Sequence, residues 1–328
     1  MYRTAVKILD VMIGVQSNTK KCLPRLPLNK DVDSLLTDFR SVEKHPFSIH
    51  LDGYITVEDT DSEPTYEFSG NEFCFKGAFS KLAKKTSDRR FTFWGNQGFL
   101  YRFALYLLEK NHRILNLHAC ALYDEDREAV YVITGGGGSG KTVFLLSGLE
   151  KGFKLFSTET VHVRSDNKGI TLFKGSLIDN VRWGTLAFNF PDYLPKKTTV
   201  PPENIWSRKV AVNLSSFQSR QDNISNPREV HIIFPRIEEG RQGSFLDPIE
   251  DKKKSIKKLF DNISQKLTET VVLYDSIPVL GLDEETLANQ RLIAVSRILS
   301  HPSIKRVTSV LSNPRECWDD LLKTEEET

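Results

Sequence analysis

The sequence is poor in the residue patterns that mark several common classes of functional site. Its four cysteines are scattered and form no C-x-x-C pair, so neither a zinc knuckle nor a redox motif is indicated. The sequence contains no H-E-x-x-H pattern and no metal-ligand spacing of two cysteines with two histidines, and no Ser-His-Asp order stands out. Zinc-dependent and triad hydrolases therefore have no support in the sequence.

Excess charge and long hydrophobic runs are also missing. The 328 residues carry 45 Lys+Arg against 43 Asp+Glu, so the net charge of +2 gives no argument for binding nucleic acid or an anionic membrane. No apolar stretch is long enough to span a bilayer. Residues 1–16 mix charges into a short apolar segment and lack the cleavage site of a signal peptide. We expect a cytoplasmic protein that binds neither nucleic acid nor membrane.

One glycine-rich stretch carries most of the chemical information. Residues 135–142 read GGGGSGKT and match G-x-x-x-x-G-K-[ST], the P-loop pattern of nucleotide-binding proteins. The apolar, β-prone residues 129–134 before it predict a buried strand, and residues 143–149 after it predict the first turns of a helix. This context distinguishes the motif from a glycine-rich linker that matches by chance.

The chemistry of a P-loop follows from its backbone. Glycines let N–H groups converge on phosphates, and the helix N-terminus adds the positive end of its dipole. Lys141 can reach the terminal phosphates, and the Thr142 hydroxyl can ligate Mg²⁺. We therefore predict that a nucleoside triphosphate binds with Mg²⁺. The predicted binding residues are Gly135, Gly136, Gly137, Gly138, Ser139, Gly140, Lys141, Thr142 and Val143.

The chain is expected to contain two regions. Residues 1–110 have short alternating segments separated by turns, which predict a small, mostly antiparallel β-rich unit, with a buried helix over residues 99–110. Residues 111–328 are expected to form an α/β nucleotide-binding domain. Because only a short turn separates strands predicted at 114–123 and 129–134, these two strands should pair antiparallel.

Several landmarks of the second region occur in the order found in a known family. Residues 115–121 (LNLHACA) look like the family's Leu-His-Ala/Gly strand, which a short hairpin joins to the P-loop. Residues 150–157, 230–234 and 245–248 look like its later strands and a helix entry. Over residues 112–300 the sequence thus resembles the HPr kinase-like P-loop kinases, which are related in fold to phosphoenolpyruvate carboxykinase.

This resemblance implies a fold and an activity. The implied fold is a mixed sheet flanked by helices, with a smaller β-rich unit in front of it. The implied activity is Mg-ATP-dependent transfer of the γ-phosphate to a hydroxyl of a small molecule or peptide. The choice of ATP over GTP comes from the resemblance alone, and oligomers are common among the relatives. Lys141 and His118 are expected near the transferring phosphate.

The sequence departs from the family at the acidic pair after the second strand. The expected Asp-Asp is Thr158-Glu159, so Glu159 is the remaining candidate for general base and metal contact. If the first acidic position is essential, the chain is instead a catalytically impaired ATP-binding regulatory or assembly protein. Asp179, followed by Arg182, loosely resembles a family loop whose acid helps to hold the metal. Arg182 would then stabilise phosphate oxygens, and a surface turn is the alternative.

Two other features of the sequence have less specific interpretations, and one other reaction has less support. Without the family context, His118 in an apolar strand would be typical of a core histidine. Residues 271–275 (VVLYD) mimic a Walker B strand, but they rank behind Glu159 and Asp179 as metal ligands. A reaction of the phosphoenolpyruvate carboxykinase type would need a second metal site of Lys, His and Asp, and the sequence shows no such set.

Overall fold

The computed structural model describes residues 1–24, 40–42, 50–86, 88–195 and 203–326. Within this part, the chain is a mixed α/β protein with seven α-helices and several sheets. It forms two compact units, Met1–Leu115 with Ser264–Ala288, and Asn116–Ile263 with Asn289–Thr328. The division expected after residue 110 stays a prediction. No sequence pattern indicated that residues 264–288 would return to the first unit.

The secondary-structure elements are numbered in chain order. The strands are β1 Tyr2–Ile8, β2 Val11–Ser17, β3 Arg40–Ser41, β4 Gly53–Asp59, β5 Thr65–Ser69, β6 Glu72–Gly77, β7 Ile114–Leu117, β8 Ala119–Asp124, β9 Ala129–Thr134, β10 Lys154–Ser157, β11 Val161–Asp166, β12 Gly169–Phe173, β13 Ile178–Arg182, β14 Lys209–Asn213, β15 Asn223–Ser225, β16 Glu229–Ile237, β17 Phe245–Pro248, β18 Val271–Leu273, β19 Ile277–Val279 and β20 Ile304–Ser312. The helices are α1 Phe79–Lys85, α2 Phe99–His112, α3 Lys141–Glu150, α4 Trp183–Asn189, α5 Lys252–Thr268, α6 Glu285–Leu299 and α7 Asp319–Glu326. Among the described residues, no helix is long and apolar enough to cross a membrane.

The first unit contains a six-stranded sheet in the order β3-β1-β2-β4-β6-β5. The hairpins β1–β2 and β5–β6 are antiparallel, as alternating segments with short turns predict. Three of the five strand pairings in this sheet are antiparallel, as expected for a mostly antiparallel unit, whereas the central pairs β2–β4 and β4–β6 are parallel. Parallel neighbours are joined by long connections, so local alternation of polar and apolar residues does not reveal them.

Aromatic rings fill the core of the first unit. Phe73, on β6, and Phe99, at the start of α2, are buried with their ring centroids 3.8 Å apart. Helix α2 ends at His112 because Arg113 adopts a left-handed conformation, with φ of 56°, and its N–H donates to the Glu109 carbonyl. The helix predicted over residues 99–110 is therefore confirmed, with its end two residues later.

The second unit is organised around a six-stranded sheet in the order β10-β8-β9-β16-β20-β17. Strand β9 lies in the middle, antiparallel to β8 and parallel to β16. The strand predicted at residues 129–134 and its antiparallel hairpin are both confirmed. All residues of β9 are buried, as expected for a strand covered on both faces. The loop after β9 consequently begins at the carboxyl end of a central strand, where ligands bind in α/β sheets.

The strand predicted over residues 114–123 is wrong in one respect, because it breaks at His118. β7 joins the four-stranded sheet β15-β12-β11-β7, whereas β8 joins the six-stranded sheet. At the break, the side chain of Asn262 on α5 takes the place of a neighbouring strand. Its Oδ1 accepts from the His118 N–H at 2.9 Å and its Nδ2 donates to the His118 carbonyl at 3.1 Å. The backbone of the half-buried His118 thus keeps hydrogen bonds where the chain changes sheets.

Helix α3, which follows the loop, is tightly seated in the core of the second unit. Trp318 is fully buried and its indole N–H donates to the Phe144 carbonyl at 2.9 Å. A Cβ on Gly148 would lie 2.2 Å from Leu122 Cδ1 on β8, so glycine lets the helix approach the sheet closely. This packing fixes the helix whose first turn borders the candidate site.

Candidate functional site

The loop between β9 and α3 has a backbone that requires glycine at defined positions. Gly138 and Gly140 have φ of 79° and 101°, in the left-handed region. A Cβ on Gly140 would also lie 2.3 Å from Ile237 Cγ1. By contrast, no atom of the described residues lies within 4 Å of a Cβ built on Gly136 or Gly137. Within this part of the chain, the loop is therefore packed against Ile237 on one side and open at Gly136 and Gly137.

The end of β16 supports the loop. The Ile237 N–H donates to the Ser139 carbonyl at 3.2 Å, and Pro235 Cδ lies 3.9 Å from the place a Gly135 Cβ would take. The hydroxyl oxygen of Ser139 is shielded from solvent and has no hydrogen-bond partner among the described residues. A buried hydroxyl without a hydrogen-bond partner lowers the stability of the fold, so a ligand oxygen that accepts from the Ser139 hydroxyl would be favourable.

Lys141 begins α3 and folds back over the loop. Its Nζ donates to the Gly135 carbonyl at 2.7 Å and to the Gly136 carbonyl at 3.0 Å. An ammonium group has three N–H donors, so one remains for a further acceptor. Burial lowers the pKa of Lys141, while the charges of Asp179 and Glu159 act to raise it. Val143, the last residue predicted to bind the nucleotide, is half-buried and packs against the core.

Thr142 and Asp179 form the central contact of the site. Strand β13 places Asp179, which is 5% exposed, so that its Oδ2 accepts from the Thr142 hydroxyl at 3.0 Å. Burial, followed by the negative charge of Glu159, raises the pKa of Asp179 to about 7. The Thr142 hydrogen bond and the positive charge of Lys209 act in the opposite direction. A divalent cation would offset the cost of holding these two carboxylates together.

Glu159 lies in the bend after β10 and is half-buried. Its negative charge adds to the raising of the Asp179 pKa and opposes the lowering of the Lys141 pKa by burial, so its carboxylate shares the electrostatic environment of both residues. The carboxylate forms no hydrogen bond with the described residues. It is therefore available to accept a proton from a bound hydroxyl, as a general base must.

Thr158, the residue before Glu159, is held by backbone carbonyls. Its N–H donates to the Ser176 carbonyl at 2.8 Å. Its hydroxyl lies 3.0 Å from the Ser176 carbonyl and 2.9 Å from the Ile178 carbonyl. A carboxylate here would face two carbonyl oxygens and be repelled. The threonine instead ties the bend to the start of β13, the strand that carries Asp179.

Arg182 lies at the end of β13, which pairs antiparallel with β14 in a two-stranded ribbon. Its guanidinium Nη2 is 3.9 Å from the place a Gly138 Cβ would take, so the side chain reaches the loop. The residue directly opposite it in the ribbon is Lys209. The P-loop pattern gave no role to Lys209, because its position depends on the register of the ribbon.

His118 lies beside the start of the loop. The residue after it, Ala119, pairs with Thr134, the last residue of β9. The His118 carbonyl also accepts from the Thr134 hydroxyl at 3.4 Å, and the imidazole is half-buried. The structure thus anchors the His118 backbone next to the loop, and its role near a transferring phosphate stays a prediction.

The Walker B-like residues 271–275 do not belong to the six-stranded sheet that contains β9. They form β18 and the turn of a small hairpin in the first unit, whereas the P-loop belongs to the second unit. Tyr274 and Asp275 have φ of 52° and 57°, and the Tyr274 hydroxyl accepts from the Phe93 N–H at 3.1 Å. The apolar run is therefore explained by packing of a hairpin rather than by a strand of the P-loop sheet.

The donor atoms around Thr142 fit a Mg²⁺ ion. Mg²⁺ prefers hard oxygen ligands and usually takes one or two from the protein, the others coming from phosphate and water. Thr142 Oγ1 and Asp179 Oδ2 supply two such oxygens. In the ranges that the structure describes, no three His, Cys, Asp or Glu residues form a cluster that could hold a metal ion.

Comparison with protein-family models and with curated proteins gave no match. The chemistry of the site therefore rests on its own residues. Of the residues predicted from the sequence, the loop residues, Thr142, Asp179, Glu159 and Arg182 share one region of the second unit.

Proposed function

We propose that the protein is a Mg-ATP-dependent kinase of the HPr kinase-like type, which transfers the γ-phosphate to a hydroxyl of a small molecule or peptide. The observation that carries the proposal is the 3.0 Å contact between Thr142 of the P-loop and the buried Asp179. A P-loop threonine beside a carboxylate is the usual Mg²⁺-holding arrangement of nucleotide-hydrolysing and phosphoryl-transfer sites. The antiparallel hairpin that leads into the loop also agrees with the resemblance.

Each residue of the site has a defined part in this reaction. Thr142 and Asp179 would hold Mg²⁺, which when bound offsets the charge of the β- and γ-phosphates. The loop N–H groups and Lys141 bind phosphate oxygens, and the unsatisfied Ser139 hydroxyl has a donor to add. Arg182 approaches the loop from the ribbon and adds a second cation.

The transfer itself needs one proton acceptor. Glu159 takes the proton from the acceptor hydroxyl while that oxygen forms a bond to the γ-phosphorus. The bond between the γ-phosphorus and the bridging oxygen then breaks and ADP leaves. Positioning and charge neutralisation provide most of the rate enhancement in such reactions, so one carboxylate within reach of the hydroxyl is sufficient.

The environment of Thr158 favours a second candidate function, an ATP-binding regulatory or assembly protein without transfer. Thr158 stands where the resemblance implies the first of two aspartates, and its hydroxyl is held by the backbone carbonyls of Ser176 and Ile178. If that carboxylate is indispensable, ATP would bind and stay intact. This second function differs from the first in one measurable property, the fate of the γ-phosphate.

The test follows the γ-phosphate in purified protein. The protein is incubated with Mg²⁺ and γ-labelled ATP, alone and with pools of metabolites and peptides, and the labelled products are separated. We expect label on a new compound. We expect Glu159→Gln to lose turnover by about 100-fold, with ATP affinity changed less than about threefold, because general-base catalysis contributes this much. Lys141→Ala is expected to lose ATP binding.

The control for the carboxylate is Glu150→Gln, an equivalent change at the exposed last residue of α3. It should leave turnover unchanged. ATP that is bound but neither transferred nor hydrolysed would support the regulatory function instead. Full turnover in Glu159→Gln would show that Glu159 is not the base.

A further inference from the structure

The β13–β14 ribbon carries two cations in directly opposed positions. Arg182 pairs with Lys209 in the antiparallel register, and both residues are exposed. Neither side chain forms an ion pair with a described residue. Like charges directly opposite each other destabilise an antiparallel pair. An anion held between or beside the two side chains would turn this unfavourable arrangement into a favourable one.

The ribbon's contacts with the loop indicate where such an anion would lie. Arg182 Nη2 is 3.9 Å from the place a Gly138 Cβ would take. Asp179, on the same strand, contacts Thr142 at 3.0 Å. The positive charge of Lys209 acts on both Lys141 and Asp179: it adds to the lowering of the Lys141 pKa by burial and opposes the raising of the Asp179 pKa by burial. In the P-loop pattern, the lysine, here Lys141, reaches the β- and γ-phosphates, and the threonine, here Thr142, ligates the Mg²⁺ beside them. The two cations of the ribbon therefore lie towards that end of the loop.

We propose that Lys209, together with Arg182, binds the terminal phosphate of the nucleotide and makes the site select a triphosphate over a diphosphate. This rests on the function proposed above. An arginine can bind two phosphate oxygens at once, and a lysine ammonium adds a compact charge on the other side. A nucleoside diphosphate lacks the outermost phosphate and leaves the two cations opposed, so it gains nothing from them.

The experiment compares two nucleotides across four proteins. The affinities of Mg-ATP and Mg-ADP are measured by calorimetry for the wild type, Lys209→Met, Lys209→Arg and Lys168→Met. Lys168→Met is the matched control, since Lys168 is an exposed lysine in the β11–β12 turn of the same unit. Loss of an exposed phosphate contact should weaken binding by about tenfold.

The expected losses of affinity differ between the variants and between the two nucleotides. Lys209→Met should lose about tenfold in affinity for Mg-ATP and less than about twofold for Mg-ADP. Lys209→Arg keeps the charge and should keep the preference for ATP, and Lys168→Met should change neither affinity. The same comparison with inorganic tripolyphosphate and pyrophosphate, as probes without a base, should give the same ranking.

Other outcomes would overturn the proposal. Equal losses for ATP and ADP would assign Lys209 to an inner phosphate or to the stability of the ribbon. Unchanged ATP affinity in Lys209→Met, with a wild type that binds ATP, would overturn only the role of Lys209. A wild type that binds neither nucleotide would overturn the proposed kinase as well.

Discussion

At the scale of single residues, the Asp179 carboxylate is unfavourable for folding but is a metal ligand in the proposed site. The carboxylate is 5% exposed and shares its surroundings with Glu159, so its negative charge is unfavourable in the folded chain. Residues retained at such a cost are commonly found where a ligand needs them. Thr158 is the opposite case. A catalytic carboxylate was expected at this position, but its hydroxyl instead hydrogen-bonds two backbone carbonyls and so stabilises the local fold.

Replacing Asp179 with Asn should separate stability from function. The amide oxygen can still accept from the Thr142 hydroxyl, and the buried negative charge is removed, so we expect the variant to be more stable by about 1 kcal/mol. It should also lose most of the Mg²⁺-dependent part of ATP affinity. Thermal unfolding and calorimetry with and without Mg²⁺ measure both effects. Asp126→Asn, in the exposed β8–β9 turn, is the control and should change neither.

At the scale of elements, the change of sheet at His118 depends on one side chain of α5. Asn262 is 9% exposed and hydrogen-bonds both backbone groups of His118, which lies between β7 and β8. The change of sheet also sets the beginning of β8 and therefore its register with β9. A side chain of a helix more than a hundred residues further along the chain thus helps to position the strand that leads into the loop.

Removing the Asn262 side chain should lower the stability of the protein. Asn262→Ala leaves the His118 N–H without its partner, so the free energy of unfolding should fall by about 2 kcal/mol. Chemical denaturation measures this loss. Asp261→Ala, the neighbouring exposed residue that pairs with Lys257, should cost less than about 0.5 kcal/mol. Equal effects of the two substitutions would contradict a specific role for Asn262.

At the scale of the whole molecule, we expect stability to depend on pH through the buried His162, which has no part in the proposed reaction. His162 on β11 is 1% exposed and its Nδ1 donates to the Asn116 side-chain oxygen at 2.6 Å. Burial lowers the pKa of His162 from 6.5 to about 4. The unfolded chain therefore binds a proton at this residue in a range where the folded chain does not, so stability falls as the pH drops from about 6.5 towards about 4.

Denaturation at two pH values tests this linkage. Between pH 7.5 and pH 5 the contribution of His162 to the free energy of unfolding should fall by about 2 kcal/mol. His162→Gln has no titrating group here and should lose that part of the pH dependence while keeping an amide that can contact Asn116. An unchanged pH dependence in His162→Gln would show that other residues account for it.

The parts of the molecule that were predictable are those set by local patterns. The strand at residues 129–134 and the helix after the glycine-rich stretch follow from neighbouring residues and were confirmed. The break at His118, the opposition of Arg182 and Lys209 and the parallel pairs of the first unit depend on residues distant in sequence. Such partners are selected by packing of the whole chain, which periodicity within a short window does not record.

The order of strands around β9 has a consequence for synthesis of the chain. β8 is already present when β9 leaves the ribosome, but the other neighbour, β16, is made only after residues 135–228. Until then one edge of β9, a strand that is fully buried in the folded protein, has no partner, and β16 itself pairs with β20, which is made later still. A nascent chain with such an edge is prone to pair with other chains. The central position of β9 places the loop at the middle of the sheet. It also means that β9 is exposed during synthesis, so we expect chaperones to bind the nascent chain at this strand.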